Sequence, residues 1–160
     1  MKTEVLLAYD KSDDIKALFA EYMDMLVTND PPFAEYLKLQ KYDQELQDLT
    51  QKYGLPHGRL YILYCDGAPA GCIGFRKLDQ DGCEMKRLYI KPEYRRRGFA
   101  RMLVEKILAD AREIGYKYMY LDTLPFLKEA IALYFDLGFF EIDRYNDSPM
   151  ANSVYMKLAL

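Results

Sequence analysis

Between residues 59 and 122 the chain changes from one hydrophobic rhythm to another, and few folds accommodate that change. "RLYILYC", "APAGCIGFRKL" and "CEMKRLYI" are three runs rich in branched and aromatic residues, separated by Asp66-Gly67 and Asp81-Gly82. Asp-Gly pairs suit tight turns, so the runs read as an antiparallel meander, with a tight hairpin first and a longer loop second. Pro92 closes the meander. Over about 98–114 the apolar residues fall at helical spacing instead, with Leu103, Ile107, Ala111 and Ile114 on one face, and Gly115 stops the helix. "YKYMYLD" (116–122) is then a strand apolar enough to be covered on both faces. Strand, helix and strand in that order imply a right-handed parallel crossover. The meander must therefore share its sheet with a parallel pair.

The flanking segments extend that sheet. "TEVLLAY" (3–9) reads as a first strand. Ser12 is placed to cap a helix carrying Ile15, Leu18, Phe19, Tyr22, Met23 and Leu26 at helical spacing, and "DPP" at 30–32 breaks it. A more polar helix is expected over about 33–52, ended by Gly54 and Pro56. Further on come a helix near 126–137, a stop at Gly138, and strands at about 139–144 and 153–159. With 160 residues, 51% of them hydrophobic, there is material for one substantial core. No repeat or linker divides it. The expectation is one domain over residues 1–160 of the α/β (α+β) class. It would hold a mixed, mostly antiparallel twisted sheet of about seven strands, about four helices and one parallel βαβ crossover.

Residue types that are scarce narrow the chemistry. Cys65, Cys72 and Cys83 fit no CxxC spacing and lie in strand-like runs, as buried free thiols of a reducing cytoplasm would. The single histidine, His57, sits in the loop "GLPHGR", which disfavours a Ser-His-Asp triad, a Cys-His pair or a histidine-bearing metal site. No loop clusters carboxylates at metal-ligand spacing, so no metal is expected. Neither G-x-G-x-x-G nor G-x-x-x-x-G-K-[ST] is present, against a dinucleotide oxidoreductase and a P-loop NTPase. The apolar run near the start is five residues long, too short for a signal-peptide core, and no stretch approaches a membrane span. A cytoplasmic protein that binds neither membrane nor nucleic acid is expected. Its net charge of −3 leaves basic residues concentrated only around 95–101.

That concentration is itself anomalous. Arg95, Arg96 and Arg97 stand directly before a helix, with Arg101 one turn on, where the helix dipole disfavours cations by up to about 1 kcal/mol each. An anion absent from the sequence would resolve the conflict. Free N–H groups at a helix start form an anion site, Gly98 lets a phosphate approach the backbone, and Ala100 is small enough for close packing. Taken alone, R-x-x-G-x-A can also be a solvated basic turn.

"LYIKPEYRRRGFARML" resembles the coenzyme A signature of the GNAT superfamily of N-acetyltransferases, [QR]-x-x-G-x-[GA] after the fourth strand. "LDTLPFLKEAIALYFDLGF" (121–139) resembles the same family's next motif, a strand followed by A-x-x-L-Y-x-x-x-G-F. The motifs occur in the family's order and separation, and the expected elements cover essentially the whole chain, as in small bacterial members of unassigned substrate. The resemblance implies acetyl transfer from acetyl-CoA to a primary amine by direct attack. It places the coenzyme's arm between splayed fourth and fifth strands, against the backbone of Leu88, Tyr89 and Ile90. The pyrophosphate would lie on the 95–101 turn, mostly on N–H groups of Arg96, Arg97, Gly98, Phe99, Ala100 and Arg101, with Asp122, Thr123 and Ala130 nearby. Tyr134 would donate a hydrogen bond to the departing thiolate.

Glu84 matches the position of a glutamate base in some members; its competing role is a strand-end ion pair with Lys86. Asp122 is a weaker candidate base. Leu127 replaces an Asn that many members carry, so that polar coenzyme contact is missing or supplied elsewhere. Segments 28–36 and 144–153 would surround the acceptor, a small-molecule or peptide amine. Their acids Asp30, Glu35, Asp143 and Asp147 point weakly to a cationic amine or polyamine, with solvated loop acids as the competing explanation. The alternative function is a non-catalytic coenzyme A sensor or interaction module. The oligomeric state stays open, a homodimer among the expectations.

Overall fold

The computed structural model describes residues 1–160. The elements are β1 (Thr3–Leu7), α1 (Ser12–Asn29), α2 (Phe33–Leu39), α3 (Tyr42–Gln47), α4 (Leu49–Tyr53), β2 (Arg59–Cys65), β3 (Ala68–Lys77) and β4 (Gly82–Ile90). After a 3-10 turn at Pro92–Tyr94 follow α5 (Phe99–Ile114), β5 (Tyr118–Thr123), α6 (Lys128–Asp136), β6 (Phe140–Ile142) and β7 (Val154–Ala159). One seven-stranded sheet runs β1-β2-β3-β4-β5-β7-β6. Every neighbouring pair is antiparallel except β4 with β5, the parallel pair that the crossover through α5 requires. The Asp66-Gly67 hairpin holds both central residues at positive φ (49° and 82°), as a tight type I′ turn demands.

The period of two along the strands sorts side chains between two layers. Tyr61 and Leu63 of β2 join Ile73, Phe75 and Met119 beneath Leu103, Val104 and Ile107 of α5. Leu60 and Ile62, one residue out of step, turn to the opposite face and meet Ile15, Leu18 and Phe19 of α1 and Tyr53 of α4. Each fully buried side chain of this size contributes about 1.5–3 kcal/mol. The strand after the crossover is less covered than its sequence suggested. Met119 and Leu121 are buried, but Tyr118 and Tyr120 are half-exposed beneath the Lys157 ammonium, 4.0 Å and 5.1 Å from their ring centres.

Three sequence expectations need correction. Ser12 does not cap α1; Lys11 occupies that position and no side chain bonds there. The final strand before β7 is only three residues long. The helix expected over 33–52 is three short helices, which raises the α-helix count to six. Lys41 adopts a left-handed φ of 57° between α2 and α3, and extended Asp48 (φ −148°) starts α4 with its carboxylate accepting from the Thr50 N–H at 3.1 Å. The breaks have a packing cause. At about 100° per residue, Tyr36 and Glu45 would lie on opposite sides of one straight helix, yet both are buried here.

Glu45 is turned inward by Arg87 of β4. The guanidinium donates to both carboxylate oxygens at 2.8 Å and 3.0 Å and to Gln40 Oε1 at 2.8 Å, while Tyr53 and Lys52 reach Glu45 at 2.9 Å each. Burial alone would raise the Glu45 pKa; Arg87 and Lys52 outweigh it and hold the carboxyl at about 2. A depressed carboxyl pKa contributes stability that is present above its unfolded value and lost as pH falls through the folded one. Urea unfolding of wild type should therefore show stability falling as pH drops from about 4.5 to about 2. Glu45→Gln, which leaves Arg87 buried without a counter-charge, should lose about 3 kcal/mol at pH 7 and show a flatter acid profile. Unchanged stability at pH 7 would contradict this account of the pair.

Candidate active site

The parallel pairing of β4 with β5 is short. It joins Gly82, Cys83 and Glu84 to Tyr118, Met119 and Tyr120 and then stops, although β4 continues to Ile90 and β5 to Thr123. The cause lies on the other side of β4. Its register with β3 shifts between Cys72 and Gly74, so that one extra β4 residue enters the ladder. Arg87 stands in this bulge at a φ of 63°, a left-handed conformation that costs a non-glycine residue about 1 kcal/mol or more. Its displaced carbonyl accepts from the Cys72 thiol at 3.2 Å, and its side chain is fixed by Glu45. The bulge turns the last residues of β4 away from β5, leaving a gap in the sheet.

A groove of about 670 Å³ begins at that gap. Residues 88–90 of β4, Arg95, Arg96 and 98–101 of the following turn, and Ala130 and Tyr134 of α6 line it. The turn alternates handedness, with positive φ at Arg96 (63°) and Gly98 (80°) but not at Arg97, a pattern that aims successive N–H groups to one side. No backbone N–H from 96 to 101 donates a bond within the chain; the first bond of α5 runs from Met102 N–H to Gly98 O. A side chain at Gly98 would meet open space, so glycine is required there by its φ as well as by approach. Three of the four guanidinium groups are engaged elsewhere. Arg95 donates to Ile90 O at 2.9 Å, Arg97 to Glu93 O at 3.3 Å, and Arg101 pairs with Asp136. Arg97 does not line the groove. The unpaired donors of the turn are thus backbone groups, and the arginines brace it.

Tyr134 is buried beside Phe139 but makes no hydrogen bond within the chain. No buried side-chain oxygen or nitrogen lacks a partner, so its hydroxyl faces the open groove. Burial pushes the phenol well above its usual range and keeps it a proton-bearing donor.

A model of the acetyltransferase (GNAT) family matches residues 17–139. The chain belongs to that family. An uncharacterized N-acetyltransferase of Schizosaccharomyces pombe is 37% identical over 150 residues, covering 92% of this chain and 88% of the relative. Another, from Dictyostelium discoideum, is 31% identical and covers 100% of both. PaiA N-acetyltransferase of Thermoplasma acidophilum, solved in complex with coenzyme A, shares the fold with a TM-score of 0.79 at 17% identity, over 100% of each chain.

Not every residue singled out in this GNAT acetyltransferase reaches the groove. Asp122 and Thr123 line a separate cavity of about 40 Å³, which shares Tyr22 and Leu127 with the groove. Asp122 accepts from the Tyr36 hydroxyl and from Asn146 Nδ2 at 3.2 Å, and Tyr155 donates to Asn146 Oδ1 at 3.1 Å. Glu84 lines neither space. It borders a third cavity of about 770 Å³, which shares Tyr36, Gln40 and Lys86 with the small one. Its carboxylate accepts from Arg76 Nε at 2.9 Å and from the Tyr145 hydroxyl at 2.6 Å, with Lys86 Nζ at 3.6 Å. Desolvation would raise the Glu84 pKa, as a base near a coenzyme pocket would need. Lys86 and Arg76 outweigh it and lower the value instead. The strand-end ion pair is what forms.

Sequence reasoning missed Tyr22, Met25 and Asn29, which α1 contributes to the groove. Tyr22 repeats at core spacing with Ile15 and Leu18, so no local signal sets it apart. The cysteines are inert: all three are buried and free, and burial pushes the Cys83 thiol up to about 12. Because the space beside Gly98 is open, Gly98→Ala should cost about 1 kcal/mol through backbone conformation alone. Denaturant unfolding checks this, and a loss of several kcal/mol would reveal a clash the geometry does not contain.

Proposed function

We propose that this acetyltransferase moves an acetyl group from acetyl-CoA to a primary amine by direct attack. One observation carries the reading: the unpaired N–H groups of a turn whose residues 96 and 98–101 line one end of a groove lead to an unpaired tyrosine hydroxyl inside it. The N–H groups suit a pyrophosphate, and oriented donors at a helix start hold such charge without reorganising. Residues 88–90, released from β5 by the bulge, offer backbone groups to an extended amide-bearing arm. The fold it shares with PaiA N-acetyltransferase, solved with coenzyme A, supports the same reading.

In the step itself, the amine nitrogen bonds to the acetyl carbonyl carbon as the carbon–sulfur bond breaks, and sulfur leaves with the electron pair. Tyr134 donates its hydrogen bond to that sulfur. With a thiol pKa of about 8.5 against a phenol raised above about 10, hydrogen bonding suffices and full proton transfer is uphill. The amine's proton goes to Asp122, whose cavity adjoins the groove; Glu84 is already committed to Arg76, Tyr145 and Lys86.

Four variants test these roles. Gly98→Asp sets a negative charge at the turn and should abolish coenzyme A binding by calorimetry; wild-type affinity would remove the turn from the site. Tyr134→Phe should lower kcat by about 100-fold with coenzyme affinity nearly unchanged, the signature of a contact used during reaction. Asp122→Asn should depress kcat/KM most near neutral pH and recover as pH rises and the amine loses its proton unaided. Glu84→Gln should lose stability but keep the profile's shape. Release of free thiol from acetyl-CoA across an amine panel measures the kinetic effects, and denaturant unfolding the stability of Glu84→Gln. Binding without turnover for every amine would instead support the sensor role.

A further inference from the structure

The Lys86 side chain is among the most buried cations of the protein, 6% exposed, yet its ammonium makes no hydrogen bond. Its nearest acceptor, Glu84 Oε1, is 3.6 Å away, beyond hydrogen-bonding length, and already accepts from Arg76. Its three donors are therefore unused within the chain, and because no fully buried side-chain nitrogen lacks a partner, the tip of the ammonium faces open cavity space. Lys86 belongs to both the 40 Å³ and the 770 Å³ cavities.

The charge around it has a consistent sign. Lys52, Arg76, Lys86 and Arg87 set four cations on this inner wall against the carboxylates of Glu45 and Glu84. Those two are consumed by bonds to Arg87, Lys52, Arg76 and Tyr145. Burial lowers the Lys86 pKa; Glu84 and Asp122 oppose that, Arg87 and Arg76 add to it, and the value stays lowered, so an added anion would relieve the site. Across the same small cavity stands Asp122, a carboxylate with only neutral donors, Tyr36 and Asn146. One cavity thus presents an under-used cation and a carboxylate together.

Resting on the acetyltransferase reading above, the geometry points to an acceptor that is itself a zwitterion, a free amino acid, with its amino group at Asp122 and its carboxylate at Lys86. The acid-rich loops, which suggested a cationic amine, do not oppose this. Asp30, Glu35 and Asp143 line none of the three cavities, and only Asp147 borders the large one. The small cavity takes the reacting end, and the 770 Å³ cavity beyond Lys86 takes the side chain.

The test compares acids with their amides. N-acetyl derivatives of the twenty common amino acids, and the matching N-acetyl carboxamides, are titrated into the full chain with coenzyme A present, as product-side probes that need no turnover. At least one acid should bind 10-fold or more tightly than its amide. Lys86→Met should erase that preference without altering coenzyme A affinity, and Lys86→Arg should retain part of it. In kinetics the same free amino acid should exceed its amide 10-fold in kcat/KM for thiol release, a ratio that Lys86→Met brings towards one. Equal binding of acid and amide, binding of no acid at all, or a preference that survives Lys86→Met would each overturn the assignment. Should Lys86→Met fail to fold, the wild-type comparison of acid with amide decides alone. Failure of the acetyltransferase reading shows separately, as absence of thiol release with any amine while the binding titrations still report on Lys86.

Discussion

Arg87 is the residue on which the rest of the site depends. It occupies a left-handed conformation inside a strand, a state that β sheets rarely tolerate outside glycine, and it is held there by a carboxylate from the segment between α1 and β2. Strain at one residue and a desolvated ion pair are each unfavourable in isolation. Together they fix a bulge, and the bulge separates two strands whose backbones would otherwise zip shut. The gap, the groove behind it and the small cavity beside it all follow from that separation. The three broken helices between Phe33 and Tyr53 serve the same end, because only a broken path brings Glu45 under the sheet while Tyr36 faces Asp122.

The frame of the protein was legible in its sequence because its signals are local. Asp-Gly pairs, Pro92, Gly98 and Gly115 each act within a few residues, and the apolar periods of two and 3.6 named the elements between them. The acetyltransferase family was legible for a related reason: the turn at 95–101 and Tyr134 lie inside short motifs whose geometry is set by their own backbone. What stayed hidden was non-local. Nothing near Glu84 in the chain announces Arg76 or Tyr145, which come from a neighbouring strand and from a loop sixty residues away. The interruption at Lys41 likewise answers to a guanidinium on β4, a partner that helical periodicity does not register. Tyr22 illustrates the limit differently, since a groove-lining aromatic and a core aromatic share the same spacing.

The arginine cluster changes meaning once its partners are known. Counted as charge, it suggested guanidinium groups waiting for phosphate. In the fold, Arg95 ties the turn to the end of β4, Arg97 closes it on Glu93, and Arg101 reaches α6 through Asp136. Their work is to hold six amides in a fixed curve. Amides so held carry no net charge, so the protein keeps its acidic balance while still presenting a row of oriented donors. Arg96 alone remains extended, 86% exposed with only a distant contact to Glu129.

The two large cavities have no lining residue in common, while the small one shares lining residues with each of them. A molecule in the groove and a molecule in the far cavity would therefore use different doors. Neither has to leave for the other to arrive, and neither product waits behind the other on the way out. Such a layout suits a reaction in which both partners are held at once, with no need for the protein to carry the acyl group on a side chain of its own. The inertness of the three cysteines fits a chain that needs no covalent way station. At about 40 Å³ the small cavity would also act as a gauge: an acceptor seated there would have to be slender at that end, while the remainder, outside it, would be free to vary in shape.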